Sequence, residues 1–220
     1  MKKAVLFTML ALSSQLASAA EDRAWVPYRK LVDTVYLDKF SNVPPAQRDK
    51  VAMFLLVTPK NPAIKPGDVV ITVAHKDGKL PFKVAPGGRL DIPYNAKWVA
   101  DDARLLINQP PGEKMNVSFG LQALMPEGLE WKYASLMGSV AQSNALIKNA
   151  AGMLSMFAPK TTSVKLKFAK PAQLKLMAKG GATTLASDAK HRIELKPDEA
   201  LMLENPMMVL SERPLGAELD

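Results

Sequence analysis

Apolar side chains at Tyr28, Leu31, Val32, Val35 and Tyr36 recur at i, i+3, i+4, i+7 and i+8, which predicts one buried face of a helix. Val43-Pro44-Pro45 ends it, because proline cannot continue a helix and restricts the residue before it. The pattern then shortens. Val51–Val57 (VAMFLLV) is an apolar run bounded by charges and prolines, as expected of a buried strand, and Asn61–Gly67 is turn material. Val69–Ala74 and Leu80–Val84 flank Lys76-Asp77-Gly78 as a hairpin. Pro86-Gly87-Gly88 turns the chain before Leu90-Asp91-Ile92. Leu105–Ile107 is followed by the turn Gln109-Pro110-Pro111-Gly112 and a strand over Met115–Leu121. Short strands punctuated this way suggest a sandwich or partial barrel.

The middle of the chain differs. Trp131–Phe157 holds no proline and no acid, and Tyr133, Leu136, Met137, Val140, Ile147, Ala151 and Leu154 fall mainly on one helical face. This predicts a long helix, or two broken near Gly152, with Pro159 marking the exit. Period-two alternation resumes at Val164, Leu166 and Phe168 and again at Leu174 and Leu176. Gly180-Gly181 turns, Arg192–Leu195 alternates, and Met207–Leu210 closes with an apolar run. The fold class expected is mainly β (α+β): two β-sandwich-like modules joined by a central helical segment, with a short N-terminal helix. The corresponding divisions are residues 1–19, a signal peptide; 20–125, helix plus β module; 126–160, the helical segment; and 161–220, a second β module.

A shift of 103 residues lays Ile71–Pro111 on Leu174–Pro214 without a gap. Gly78 meets Gly181, Arg89-Leu90-Asp91-Ile92 meets Arg192-Ile193-Glu194-Leu195, and Pro111 meets Pro214. Four positions are identical over that window. Two related β modules and one α+β domain with a shared strand rhythm both account for it.

The first residues predict export. Lys2 and Lys3 precede the apolar run Ala4–Leu12, and Ala17-Ser18-Ala19-Ala20 supplies a small-residue cleavage site before Glu21. The run is too short to span a bilayer, and no cysteine follows the site for lipid anchoring. The expected address is the Gram-negative periplasm, with full secretion as the alternative. Losing Lys2 and Lys3 takes the net charge from +8 to +6.

The 220 residues contain no cysteine and two histidines, which excludes thiol catalysis, disulfides and cysteine-ligated metals. No nucleophile elbow, P-loop, dinucleotide fingerprint or H-E-x-x-H motif is present. His75 sits beside a predicted turn and His191 lies far from it. Asp101-Asp102 reads as a turn or helix start rather than a cation site. Met153-x-x-Met156 and Met207-Met208 lie in apolar stripes, as core-filling methionines do. No cofactor and no metal is expected.

Charge is more informative. No acid occurs between Trp131 and Ser187, where Lys132, Lys148, Lys160, Lys165, Lys167, Lys170, Lys175 and Lys179 stand, whereas eight acids face four bases from Asp188 onward. Lys165, Lys167 and Lys175 are the candidate ligand-binding residues: a basic face for anionic lipid or an acidic envelope partner. The alternative is edge protection by lysine. Nucleic acid is not an expected partner, because no aromatic residues interleave the lysines.

The stretch Leu80–Asn108, with Leu90-Asp91-Ile92-Pro93-Tyr94 followed by Asp102-Ala103, resembles exported proteins of Gram-negative bacteria grouped as a domain of unknown function. The resemblance covers about an eighth of the chain and implies periplasmic location, but it transfers no catalytic residue. Many such proteins carry cysteines, and this chain has none. The functional expectation is a non-catalytic periplasmic binding or accessory protein that recognises an envelope protein or anionic component. A hydrolase whose active site assembles in the fold, or a structural subunit of an envelope complex, are the alternatives.

Overall fold

The computed structural model describes residues 22–151 and 160–220. The expected export signal, the part of the expected central helix beyond residue 151 and Met153-x-x-Met156 lie outside the described residues.

Along the first half run β1 (Arg23–Pro27), α1 (Tyr28–Val35), α2 (Leu37–Ser41), β2 (Val51–Pro59), β3 (Val70–His75), β4 (Gly78–Lys83), β5 (Arg89–Leu90), α3 (Ala96–Ala100), β6 (Arg104–Ile107) and β7 (Met115–Ala123). The second half runs β8 (Glu130–Lys132), α4 (Tyr133–Ala151), β9 (Val164–Lys167), β10 (Gln173–Ala178), β11 (Gly181–Ala186), β12 (Arg192–Leu195), α5 (Glu199–Glu204), β13 (Met207–Leu210) and β14 (Gly216–Leu219). The protein is mainly β, with three open antiparallel sheets, five α-helices and no closed barrel among the described residues.

The two halves repeat one topology. The sheet β1-β6-β3-β4 has its counterpart in β8-β13-β10-β11, and the third sheet, β5-β2-β7-β14-β9-β12, reads the same from either end. The 103-residue offset holds for the backbone of β3–β6 against β10–β13. Gly78 and Gly181 take positive φ in matching hairpins, and Asp102 and Asn205 are left-handed (φ 50° and 51°) at the ends of α3 and α5. Asn95 caps α3 and Asp198 caps α5 through their side-chain oxygens. The Asn108 side chain accepts from the Val70 amide, as the Ser211 hydroxyl does from Gln173.

A tyrosine anchors each half. The Tyr28 hydroxyl donates to the Pro93 carbonyl (2.7 Å) and accepts from the Asn95 amide (3.0 Å). Tyr133 does the same with Lys196 (3.0 Å) and Asp198 (3.1 Å). Each half keeps its own core, one around Tyr28, Leu55, Ile71, Leu105 and Ile107, the other around Trp131, Leu136, Leu166, Leu174 and Met208. Burial of such clusters supplies the main folding drive.

The structure revises two readings. Trp131 is not helical: it lies in β8, opposite Met208 of β13, and α4 starts at Tyr133, whose amide donates to the Pro206 carbonyl. Tyr36 does not continue the buried helical face: it is exposed and left-handed and ends α1, whereas Asp101-Asp102 forms a turn, closing α3. Among the described residues no helix is long and apolar enough to cross a membrane.

Candidate functional site

Where the halves meet, one face of the six-stranded sheet is roofed by α1 and α2 from the first half and by α4 from the second, leaving a groove of about 830 Å³. Its floor is Met53 of β2, Phe119 and Leu121 of β7 and Leu219 of β14. One wall is Val35, Tyr36, Phe40 and Val43; the other is Leu146 and Ile147 of α4. Strand alternation explains the floor, because Met53 pairs with Leu121 and Leu55 with Phe119, so these side chains share one sheet face.

The first wall depends on a break. Tyr36 adopts φ 54°, ending α1 and starting α2, which turns Lys39, Phe40 and Val43 along the groove. A tyrosine in the left-handed region is held at a cost of about 1–2 kcal/mol. Tyr36 and Phe119 meet edge to face at 6.3 Å while both remain largely exposed, an aromatic pair open to solvent at an apolar recess.

Polar groups frame the remainder. Lys39 and Lys160 line the groove, as does Asp220, and the Lys39 ammonium lies 3.7 Å from the Asp38 carboxylate. Asn144 fixes residue 161 through its amide, donating to the Thr161 carbonyl and accepting from the Thr161 amide, both at 2.9 Å. The buried Ser143 hydroxyl lies 2.9 Å from that of Thr161.

Gln142 latches α4 onto the first half. Its Oε1 accepts from the Lys50 amide (2.8 Å) and its Nε2 donates to Asp49 Oδ1 (2.7 Å), which, with Lys50, holds the Asp49 carboxyl below its ordinary range. Gln142→Ala removes the acceptor for the Lys50 amide and is expected to lower stability by about 1–2 kcal/mol. The freed Asp49 carboxyl should titrate higher, a shift readable by NMR. A variant with wild-type stability and an unmoved Asp49 would contradict the latch.

The lysines singled out in the sequence are placed differently. Lys165 and Lys167 of β9 lie on the sheet face opposite the groove, because they pair with Glu218 and Gly216 of β14 while Leu219 faces inward. Lys165 contacts the Asp220 carboxylate, which raises its pKa, and Lys167 contacts Glu218. Lys170 pairs with Glu212 at 2.8 Å. Lys175 belongs to β10 of another sheet, between Thr184 and Val209. The lysine-rich and acid-rich stretches of the sequence thus face one another across β9 and β14.

Neither histidine reaches the groove. His75 stacks on Trp98 (5.6 Å between centroids) and accepts from the Asp77 amide. His191 is left-handed at the turn where the first half has Gly88. Met208 is buried in the second core, consistent with packing.

The family comparison matches residues 26–168, from β1 to the residue after β9, to the protein of unknown function family DUF2987. The chain belongs to that family. No curated protein and no solved structure matches it. The matched span contains the groove's floor on β2 and β7 and both helical walls, and leaves out β14.

Proposed function

We propose that this DUF2987 protein is a non-catalytic binding protein of the Gram-negative envelope, exported to the periplasm, whose groove takes the apolar tail of an anionic amphiphile. The observation that carries this reading is the groove between the halves, apolar on its floor and both walls, with two lysines, Lys39 and Lys160, against one acid, Asp220, among the residues that line it. Its 830 Å³ falls within the roughly 300–1,000 Å³ of sites that hold one small ligand. The chemistry fits a single acyl chain with an acidic head: the chain gains by leaving water, and the ammonium groups offer charge-assisted bonds. A Ser–His–Asp hydrolase would need a histidine beside a nucleophile, and neither His75 nor His191 lines this recess.

A dansyl-labelled fatty acid, titrated against the mature chain and competed with unlabelled palmitate, tests the proposal. Saturable, competed fluorescence is expected. Ile147→Glu should weaken binding by about tenfold or more, since it sets a carboxylate against the tail. The double variant Lys39→Gln, Lys160→Gln should weaken the fatty acid and leave the corresponding fatty alcohol unchanged. Absence of saturable binding, or equal binding by Ile147→Glu with its fold intact, would remove the reading.

A further inference from the structure

We propose that β11 is a docking edge for a second copy of this chain, joined strand to strand and independently of any ligand in the groove. Both halves end one sheet with the outer strand of a two-residue hairpin, β4 in the first and β11 in the second. In such a hairpin the residues flanking the turn exchange hydrogen bonds, and alternate residues from there onward direct their amide and carbonyl away from the partner strand. For β4 these are Lys79, Pro81 and Lys83; for β11, from the Ala178–Gly181 pair, they are Ala182, Thr184 and Ala186.

The internal repeat makes the comparison a controlled one. At the same three positions, 103 residues apart, β4 carries two lysines and a proline, and β11 carries alanine, threonine and alanine. Lysine and proline are the residues that blunt a free edge, and Pro81 deletes an outward N–H that Thr184 retains. Gly181–Ala186 has no charge and no proline, and Gly181 through Thr184 are exposed. One half has its edge closed and the other has it open.

The occupant follows from symmetry and charge. Antiparallel pairing of two β11 strands about Thr184 sets Thr184 opposite Thr184 and Ala182 opposite Ala186, so the outward groups of all three residues find partners. Threonine pairs across strands are favourable, and no like charges are opposed within the strand. In this register Lys179 of one copy falls beside the Asp188 end of the other. The same pairing of two β4 strands would oppose Lys79 and Lys83 and leave Pro81 without a donor. A six-residue edge buries less than the roughly 1,200–2,000 Å² of stable complexes, so the dimer is weak and concentration-dependent.

The absence of native cysteine allows a direct test in the full mature chain. Facing Thr184 residues would sit about 5.5 Å apart at Cα, inside the span of a disulfide. Thr184→Cys is expected to cross-link under mild oxidation at least tenfold faster than Lys83→Cys, its control on the blocked edge. Sedimentation of the wild-type chain should show monomer–dimer exchange that Thr184→Lys abolishes with an unchanged circular dichroism spectrum. Equal cross-linking rates for the two cysteine variants would overturn the proposal. So would a wild-type chain that stays monomeric to about 1 mM, or a folded Thr184→Lys that dimerises like wild type.

Discussion

Leu136→Asp is expected to destabilise the second half by several kcal/mol and lower the urea midpoint sharply at neutral pH. Leu136 is fully buried on α4, in the core that includes Trp131, Met137, Leu166 and Met208. A carboxylate there has no cation and no water, and an uncompensated buried charge costs about 3–5 kcal/mol. The introduced group escapes part of that by holding its proton, so its folded pKa lies above its unfolded one. The sign follows: the folded variant binds more protons than the unfolded chain, and its stability falls as pH rises through that interval. The deficit against wild type should therefore shrink near pH 4 and be full at pH 7. Ala145→Asp, on the exposed side of the same helix, should change stability by no more than about 0.5 kcal/mol. Similar urea midpoints for Leu136→Asp and wild type at pH 7 would show that this face of α4 is not core.

What was legible in the sequence was what periodicity and turn chemistry encode locally. The helical spacing from Tyr28 predicted α1 as far as Val35, whereas the single helix expected to run to Val43-Pro44-Pro45 is broken earlier, at the left-handed Tyr36, with α2 beyond it. The β3–β4 hairpin follows from alternation around a glycine turn, and β10 and the turn after it were read the same way, but Gly181–Ala186 shows no apolar alternation and β11 was missed. Elements too short to show a period were missed, including α3, α5 and β14 with its small residues Gly216 and Ala217. Trp131 was absorbed into the helix because its spacing to the α4 residues fits a helical face, while its pairing with Met208 is set 77 residues away. The basic stretch looked unopposed because its acids come later in the chain, and only the β9–β14 register brings them together.

The groove was invisible for a related reason. Its walls are α1–α2 and α4, separated by a whole half, and the Tyr36 kink that aims Phe40 is a backbone choice that residue type does not announce. The repeat was only faint because the equivalent positions that persist are backbone-setting ones: left-handed residues, helix caps and hairpin glycines. The tyrosine anchors, Tyr28 and Tyr133, stand 105 residues apart instead of 103 and precede the aligned window, so a gapless shift could not pair them.

Those anchors carry the last large effect. Tyr28 is completely buried, and burial pushes its hydroxyl pKa up from 10.0 to about 12, against a smaller lowering by the bond from the Asn95 amide. Tyr133 is raised in the same direction for the same cause. Between pH 10 and about 12 the unfolded chain releases a phenolic proton that folded Tyr28 keeps. The folded state then binds more protons, so this contribution is whole below pH 10 and is lost as pH rises toward 12. With one pKa unit equal to about 1.4 kcal/mol, the loss for Tyr28 is about 2–3 kcal/mol. Tyr28→Phe cannot show it. At pH 8 that variant should be less stable by about 1–3 kcal/mol, because the Pro93 carbonyl and Asn95 amide lose their shared partner. As pH rises from 10 to 12 its stability should converge on that of wild type, whose tyrosine is then penalised. Lysine deprotonation affects both proteins alike, so the difference between their urea midpoints isolates the hydroxyl. A gap that stays constant from pH 8 to pH 12 would show that Tyr28 ionises as freely in the folded protein as in the unfolded chain, and the anchoring role of its buried hydroxyl would have to be given up.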